Sequence, residues 1–404
     1  MKLYAQHGSQ AGSGERNKVL QGLARGLIQG AILSPKDYDA RRIGETLSEI
    51  KEQSPTAERL FDPQYYACMV AHEPDGRLGK LLGEDYQAYF TPRRRSYLES
   101  EPKLKTEIQN CLQFQSQLDV TAIISPNIVI RRRFNSIEGL ISRNFIRHAK
   151  EAWDKEGGRR PLFVTLAMDA EAIQEKEELE EFVQELTVME SRPDGFYLLV
   201  NNPTSEIAPE LIDHRTLSGW MFINQALHVN GFRVINGYSD ILTPFLCAAG
   251  GEAGATGWFN SQKVFSMDRF APSSGGGRRP VLRYLSTKLL NSIRFDELER
   301  LRMRFPEVLS GLPTDDFYSE ERASEPDGQI EEVLQTWEAI SSLGVPIGKG
   351  GLAECLKRIF DAEELYAQIN LAPGLRLSGR SNNAHLEALD TGIRKFAELA
   401  EIKL

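Results

Sequence analysis

Short apolar runs alternate with amphipathic stretches along the first 265 residues of the chain. The runs read KLYAQHG, GAILSP, ERLFDP, TAIISPN, PLFVTLAMD, GFYLLVNNP, FRVINGYSD and ATGWFNS. Each is short enough for a strand and apolar enough to be buried on both faces, as parallel strands are. Between them, segments such as DARRIGETLSEIKEQ and RTLSGWMFINQALHVN place apolar residues three or four apart, the spacing of one helix face. Strand then helix, eight times over, predicts an α/β chain folded as a (β/α)8 barrel of the TIM type. A doubly wound open sheet is the competing architecture. The lack of a Gly-rich dinucleotide fingerprint after the first strand favours the barrel.

Four of the runs end in a polar residue followed by proline: Ser34-Pro35, Asp62-Pro63, Ser125-Pro126 and Asn202-Pro203. Proline cannot donate to a sheet ladder and holds the preceding residue extended, so it stops the strand and starts the loop. The barrel is expected to occupy residues 1–311, with a long loop at 67–96 and a linker helix near 286–305. Beyond it, DGQIEEVLQTWEAISSL, LAECLKRIFDAEELYAQI and HLEALDTGIRKFAELAEI predict a helical C-terminal domain at 312–404.

Charge sharpens that division. The net charge is −9, but residues 311–404 hold 17 Asp+Glu against 9 Lys+Arg, leaving 40 against 39 in the rest. The acidity belongs to the tail, so the barrel itself remains open to a polyanionic partner. The tail helices are expected to offer a surface for homo-oligomerisation. The four cysteines stand far apart with no Cys-x-x-Cys pair, as buried thiols of a reducing compartment would. No 18-residue apolar run and no long apolar leader segment stand in the sequence, so a cytoplasmic protein with no membrane partner is expected.

A barrel works at the C-terminal ends of its strands, which makes the strand-tip side chains the candidates. Asp62 and Asp240 each follow an apolar run directly. Two carboxylates at one mouth can divide roles, one neutral as acid and one ionised as base or nucleophile. Simpler alternatives are an Asx turn at Asp62 and a cap at Asp240 for a helix starting near Ile241. His7 is the one histidine at a predicted strand tip and a candidate general base. Lys36, Asp37, Gln64, Asn127, Asn202, Tyr238, Trp258 and Asn260 are candidates for holding the substrate. No metal or other cofactor is expected, since neither His-x-His nor His-Glu-x-x-His occurs.

Three arginine clusters fall in loops assigned to the same face: Arg93, Arg94 and Arg95; Arg131, Arg132 and Arg133; and Arg278, Arg279 and Arg283. Converging guanidinium groups suit a phosphate-bearing substrate or a nucleic acid, which they hold by bidentate contacts. Tyr86, Tyr89, Phe90 and Tyr97 flank the first cluster and are expected to stack on bases. The glycines of AAGGEAGATGW lie near where many barrels bind a phosphate, or else permit a tight turn on the opposite face.

On strand-tip Asp62 and Asp240, the arginine loops and the barrel rhythm, the first 300 residues resemble the barrel of the tRNA-guanine transglycosylases and related enzymes that modify DNA bases. The resemblance implies a strand-tip aspartate attacking a glycosidic carbon or recognising a base, beside a basic surface for the nucleic acid. The chain carries no Asp-Ser-Gly-Gly-Phe-Gln-like segment and no Cys/His zinc cluster. From the strand-tip aspartates and the arginine loops, the expected function is that of an enzyme acting on a nucleic acid or nucleotide, by base exchange or N-glycosidic cleavage. The alternatives are a non-catalytic barrel that binds nucleic acid or a partner, and a phosphorylated-metabolite lyase or aldolase with Lys36 as Schiff base.

Overall fold

The computed structural model describes residues 1–72, 77–207, 212–272, 281–319 and 330–404. All eight apolar runs are strands. They are β1 (Lys2–Gln6), β2 (Gly30–Leu33), β3 (Glu58–Phe61), the short pair β4 (Ile123–Ile124) and β5 (Val129–Ile130), β6 (Leu162–Asp169), β7 (Gly195–Asn201), β8 (Arg233–Asn236) and β9 (Ala253–Thr256). The strands run parallel in the order β3-β2-β1-β9-β8-β7-β6-β4. Because β5 also pairs with β6, β4 and β5 share one position and the sheet is a nearly closed barrel of eight. Between β3 and β4 the ring is joined by a single backbone bond, Thr121 N to Arg59 O at 2.8 Å, reinforced by Arg59 N donating to Thr121 Oγ1.

The period-2 pleat sorts each strand into an inner and an outer face. Lys2, Tyr4 and Gln6 of β1, Glu58 and Leu60 of β3 and Tyr197 of β7 fall on the inner face by register, and their contacts across the barrel agree. At the N-terminal end, Lys2 Nζ bonds Glu58 at 2.5 Å and Glu252 at 2.8 Å, and Arg233 grips Glu252 through two nitrogens. This charged lattice fills that mouth.

The helices are α1 (Lys18–Ala24), α2 (Ala40–Gln53), α3 (Arg95–Leu98), α4 (Glu101–Ser116), α5 (Ile137–Lys155), α6 (Lys176–Thr187), α7 (His214–Val229), α8 (Thr243–Ala248), α9 (Asn260–Lys263), α10 (Phe295–Arg302), α11 (Glu331–Leu371) and α12 (Ala384–Leu399). Only the one-turn α9 directly follows β9, too short to cover β9 and β1. That place is taken from far down the chain: α11 packs against α8 and α1 and touches β1. Its Trp337 is fully buried and donates Nε1 to Thr256 O of β9, while Ser341 Oγ donates to Leu27 O. The helix bends at Gly351, whose φ of 59° and ψ of −143° are open to glycine alone at low cost. Beyond the bend it meets α12, which lies along α7. The hydrophobic core runs without a break across residue 311.

Two local expectations change. The helix placed near 286–305 starts only at Phe295; the residues before it form an antiparallel hairpin of β10 (Arg283–Ser286) and β11 (Asn291–Arg294). Leu290 turns that hairpin with φ 51°, a geometry that helical spacing does not reveal. The described residues of the long loop expected at 67–96 form a chain of short 3-10 turns that packs inward. Tyr86, Tyr89 and Phe90 are buried and join Phe61 and Phe114 in an aromatic cluster, so they are not available to stack on bases.

Candidate functional site

At the C-terminal mouth Asp62 stands immediately after β3, fully buried, on the inner face. Pro63 ends the strand, and Gln64 adopts a left-handed φ of 52° that folds its own amide back onto the carboxylate. Gln64 N donates to Oδ1 at 3.0 Å, Tyr66 Oη to Oδ2 at 2.8 Å and Tyr197 Oη, from across the barrel, to Oδ2 at 3.4 Å. Burial pushes the carboxyl up to about 6; these three donors and the nearby Arg269 guanidinium pull the other way and lose to desolvation. An Asx turn is thus present at Asp62. It accounts for one of the two oxygens, and the other faces a pair of tyrosines.

Arg269 was not singled out in the sequence, yet it is the cation of this site. It sits in the stretch after β9, residues 257–271, which crosses the mouth. Phe265 O accepts from Asn202 N, Met267 N donates to Asn201 Oδ1, and Phe270 O accepts from Arg77 N. This crossing drives Phe265 and Phe270 onto the Tyr66 ring and buries the Arg269 side chain. Its Nη1 donates to Tyr238 Oη at 2.7 Å and its Nη2 lies 3.9 Å from Asp37 Oδ2. Burial alone would lower the guanidinium; the Tyr238 and Tyr66 hydroxyls with Asp37 and Asp62 hold it raised instead. A mid-loop arginine with no charge pattern around it gives no sequence signal for this role.

Lys36 joins the same layer. Its Nζ donates to Arg269 O at 2.6 Å and lies over the Phe270 ring, and its amide donates to Gln64 Oε1. Burial, with Arg269 close by, brings the ammonium down to about 8. His7 is buried between the rings of Tyr38 and Trp258, and burial with the charges of Arg42 and Lys18 brings it down to about 3, so it stays neutral at any ordinary pH. Trp258 is pinned by Nε1 to Ser9 O.

Other candidates lie elsewhere or hold the fold. Asp240, with φ 39°, heads a 3-10 turn and accepts from Thr256 Oγ1 at 2.6 Å; Asp62 takes its hydrogen bonds from a different set of residues. Asn127 is buried on Ser142 and Thr165 O, Asn202 bonds Val200 O, and Asn260 is exposed at the start of α9. Gly250 and Gly251 turn α8 into β9 at the N-terminal end, with φ 105° at Gly250, so they form a turn rather than a phosphate loop.

The arginine clusters divide. Arg93 is locked by Nε and Nη2 to the buried Glu107, which also accepts from Tyr65 and Tyr97. Arg95 pairs with Glu138 and Glu99, and Arg133 with Glu178. Arg283 stands in the β10-β11 hairpin, where its Nη1 donates to Ser292 O. Arg278 and Arg279 lie outside the described residues. Arg94, Arg131 and Arg132 are exposed and have no carboxylate partner among the described residues; Arg132 N donates to Asp169 Oδ2 at the tip of β6. Of the clustered arginines, these three have a guanidinium with no carboxylate partner among the described residues.

Among the described residues no group of three His, Cys, Asp or Glu side chains could hold a metal ion, and no helix is long and apolar enough to cross a membrane. No protein-family model matches the chain, and no curated protein matches it.

Proposed function

We propose that the barrel is of the (β/α)8 TIM type and that the protein is an enzyme acting at its C-terminal mouth on a nucleic acid or nucleotide, with Asp62 as nucleophile or general base. The observation that carries this reading is the Asp62 carboxyl itself: buried, oriented by two tyrosines, and pushed up to about 6. A carboxyl in that range is present in both protonation states near neutrality and can give or take a proton in the reaction. The free Arg94, Arg131 and Arg132 on the rim support a phosphate-bearing substrate. Base exchange or N-glycosidic cleavage, the chemistry of the tRNA-guanine transglycosylases and related DNA-base-modifying enzymes, is the reaction proposed for Asp62, while Asp240 accepts from Thr256 Oγ1.

The test is turnover on labelled single- and double-stranded DNA and RNA, read as base release or as incorporation of a labelled free base. Asp62→Asn is expected to abolish turnover and to leave oligonucleotide binding within about twofold. Full turnover by Asp62→Asn would overturn the reading. A second reading, a lyase or aldolase, has one observation in its favour: Lys36, lowered to about 8, is a usable amine nucleophile. Borohydride trapping of phosphorylated aldehydes on wild type but not on Lys36→Met separates the two.

A further inference from the structure

Around Asp62 the mouth has more hydrogen-bond donors than the protein uses. Gln6 Nε2, Ser34 Oγ, Gln64 Nε2 and Arg269 Nε are all buried and have no hydrogen-bond partner among the described residues, and His7 Nδ1 shares that state. Leaving such a group unpaired is costly, and buried polar groups are otherwise nearly always satisfied. These do not scatter. Gln6 Oε1 accepts from Tyr197 Oη, the same hydroxyl that reaches Asp62, and Gln64 Oε1 accepts from Lys36 N. Ser34 follows β2, between the tips that carry Gln6 and Asp62. The Gln64 oxygen is committed to Lys36 N, the Gln6 oxygen competes with Asp62 for the Tyr197 proton, and both NH2 groups are left over. The surplus is therefore one of donors, in a layer that already holds the Lys36 ammonium and the Arg269 guanidinium.

We infer that this layer is a binding site for a compact oxyanion, a phosphoryl or carboxylate group of the substrate, received by Gln6, Ser34, Gln64 and Arg269 beside Asp62. The chemistry follows from the inventory: a hydroxyl, two amide NH2 groups and a guanidinium NH offer hydrogens, and an oxyanion accepts several at once in a small volume. A cation would find Asp37 and Asp62 but would face every unused donor. The inference rests on the mouth being the site of reaction, yet it concerns binding and can be tested without turnover.

The experiment is thermal unfolding of the full chain in inorganic phosphate, in acetate and in chloride at matched ionic strength. A rise in Tm in phosphate but not in acetate that Ser34→Ala or Gln64→Asn diminishes assigns a phosphoryl group, and a like rise in acetate assigns a carboxylate; a rise that both variants keep is the general salting effect of phosphate. Ser34→Ala and Gln64→Asn, the second keeping a residue suited to left-handed backbone, are each expected to weaken the anion about tenfold. Ser34→Ala should leave Tm in chloride unchanged or higher, because it deletes an unpaired hydroxyl; a merely structural serine would lower it. Equal Tm in all three salts, or a phosphate shift that survives both substitutions, overturns the inference. Asp62→Asn retains the anion effect, so loss of turnover in that variant and loss of anion binding in the others fail separately.

Discussion

Tyr197 Oη of β7 lies 3.4 Å from Asp62 Oδ2 and 3.4 Å from Gln6 Oε1, joining three strands across the inside of the barrel. This hydroxyl has a single proton to give, so it serves the carboxylate or the amide, not both. The network at the mouth is thus able to follow the charge of Asp62. With the carboxylate ionised the tyrosine turns to it; with the acid protonated the glutamine oxygen becomes the better acceptor. Tyr66, at 2.8 Å, is the firmer donor of the two.

Asp62 should make stability depend on pH in a direction opposite to that of most carboxylates. Its folded-state value, about 6, is raised above the ordinary 3.8. The protonated form is the one the fold prefers, so the contribution is fully present below about pH 4 and is lost as pH rises through 6. Two units correspond to about 3 kcal/mol at most. Asp62→Asn should therefore gain on wild type between pH 4 and 7 in denaturant unfolding. Parallel pH profiles for the two proteins would show that the carboxyl is not raised.

Removing the firmer donor should move that transition further. Tyr66→Phe deletes the hydroxyl that favours the ionised form, and the midpoint of the stability difference against Asp62→Asn is expected to rise by about one pH unit. The same shift should appear in the acid limb of the rate profile once a substrate is in hand. A stability loss with an unmoved midpoint would mean the tyrosine only packs.

The rim arginines and Arg93 should respond to substitution in opposite ways. Arg93→Ala strands the carboxylate of Glu107, 2 % exposed as a side chain, and is expected to cost about 3 kcal/mol in stability. Arg94→Ala, Arg131→Ala and Arg132→Ala break no ion pair among the described residues and should leave Tm within about a degree. Each should instead lower oligonucleotide affinity and reduce the slope of log affinity against log salt by about one. Affinity unchanged in all three would place the polyanion elsewhere.

Much of the barrel was legible because its signal is local. Each apolar run, with the proline stop that four of them carry, lies within ten residues, and Asp62 could be placed at a mouth by counting strands. The partners of Asp62 were not legible. Tyr66 lies four residues away behind a left-handed turn, Tyr197 is 135 residues distant, and Arg269 is brought in by a loop crossing with no sequence rhythm. The aromatic residues of the long loop misled for the same reason: alternation with arginine resembles a nucleic-acid surface, while Phe61 and Phe114 decide that they are core. Arg93 and Arg133 read as free charges until buried Glu107 and the more distant Glu178 are brought opposite them.

The role of α11 as the missing barrel helix gives a test with a change of sign. Gly22 lies in α1, where alanine would ordinarily gain about 1 kcal/mol in helix propensity. Here an added Cβ would sit 2.6 Å from Trp337 Cζ3 and 3.0 Å from Ile28 Cδ1, and the indole is fully buried and tied to Thr256 O. Overpacking of this kind costs about 1–3 kcal/mol, so Gly22→Ala should destabilise the native chain despite its propensity. Trp337→Ala should cost about 3–5 kcal/mol through the cavity it leaves between α11 and β9. With that cavity present the added methyl has room, and Gly22→Ala should then stabilise. A double-mutant cycle in guanidinium chloride reads the coupling directly. If Gly22→Ala had the same effect in both backgrounds, α11 would not be packed against α1.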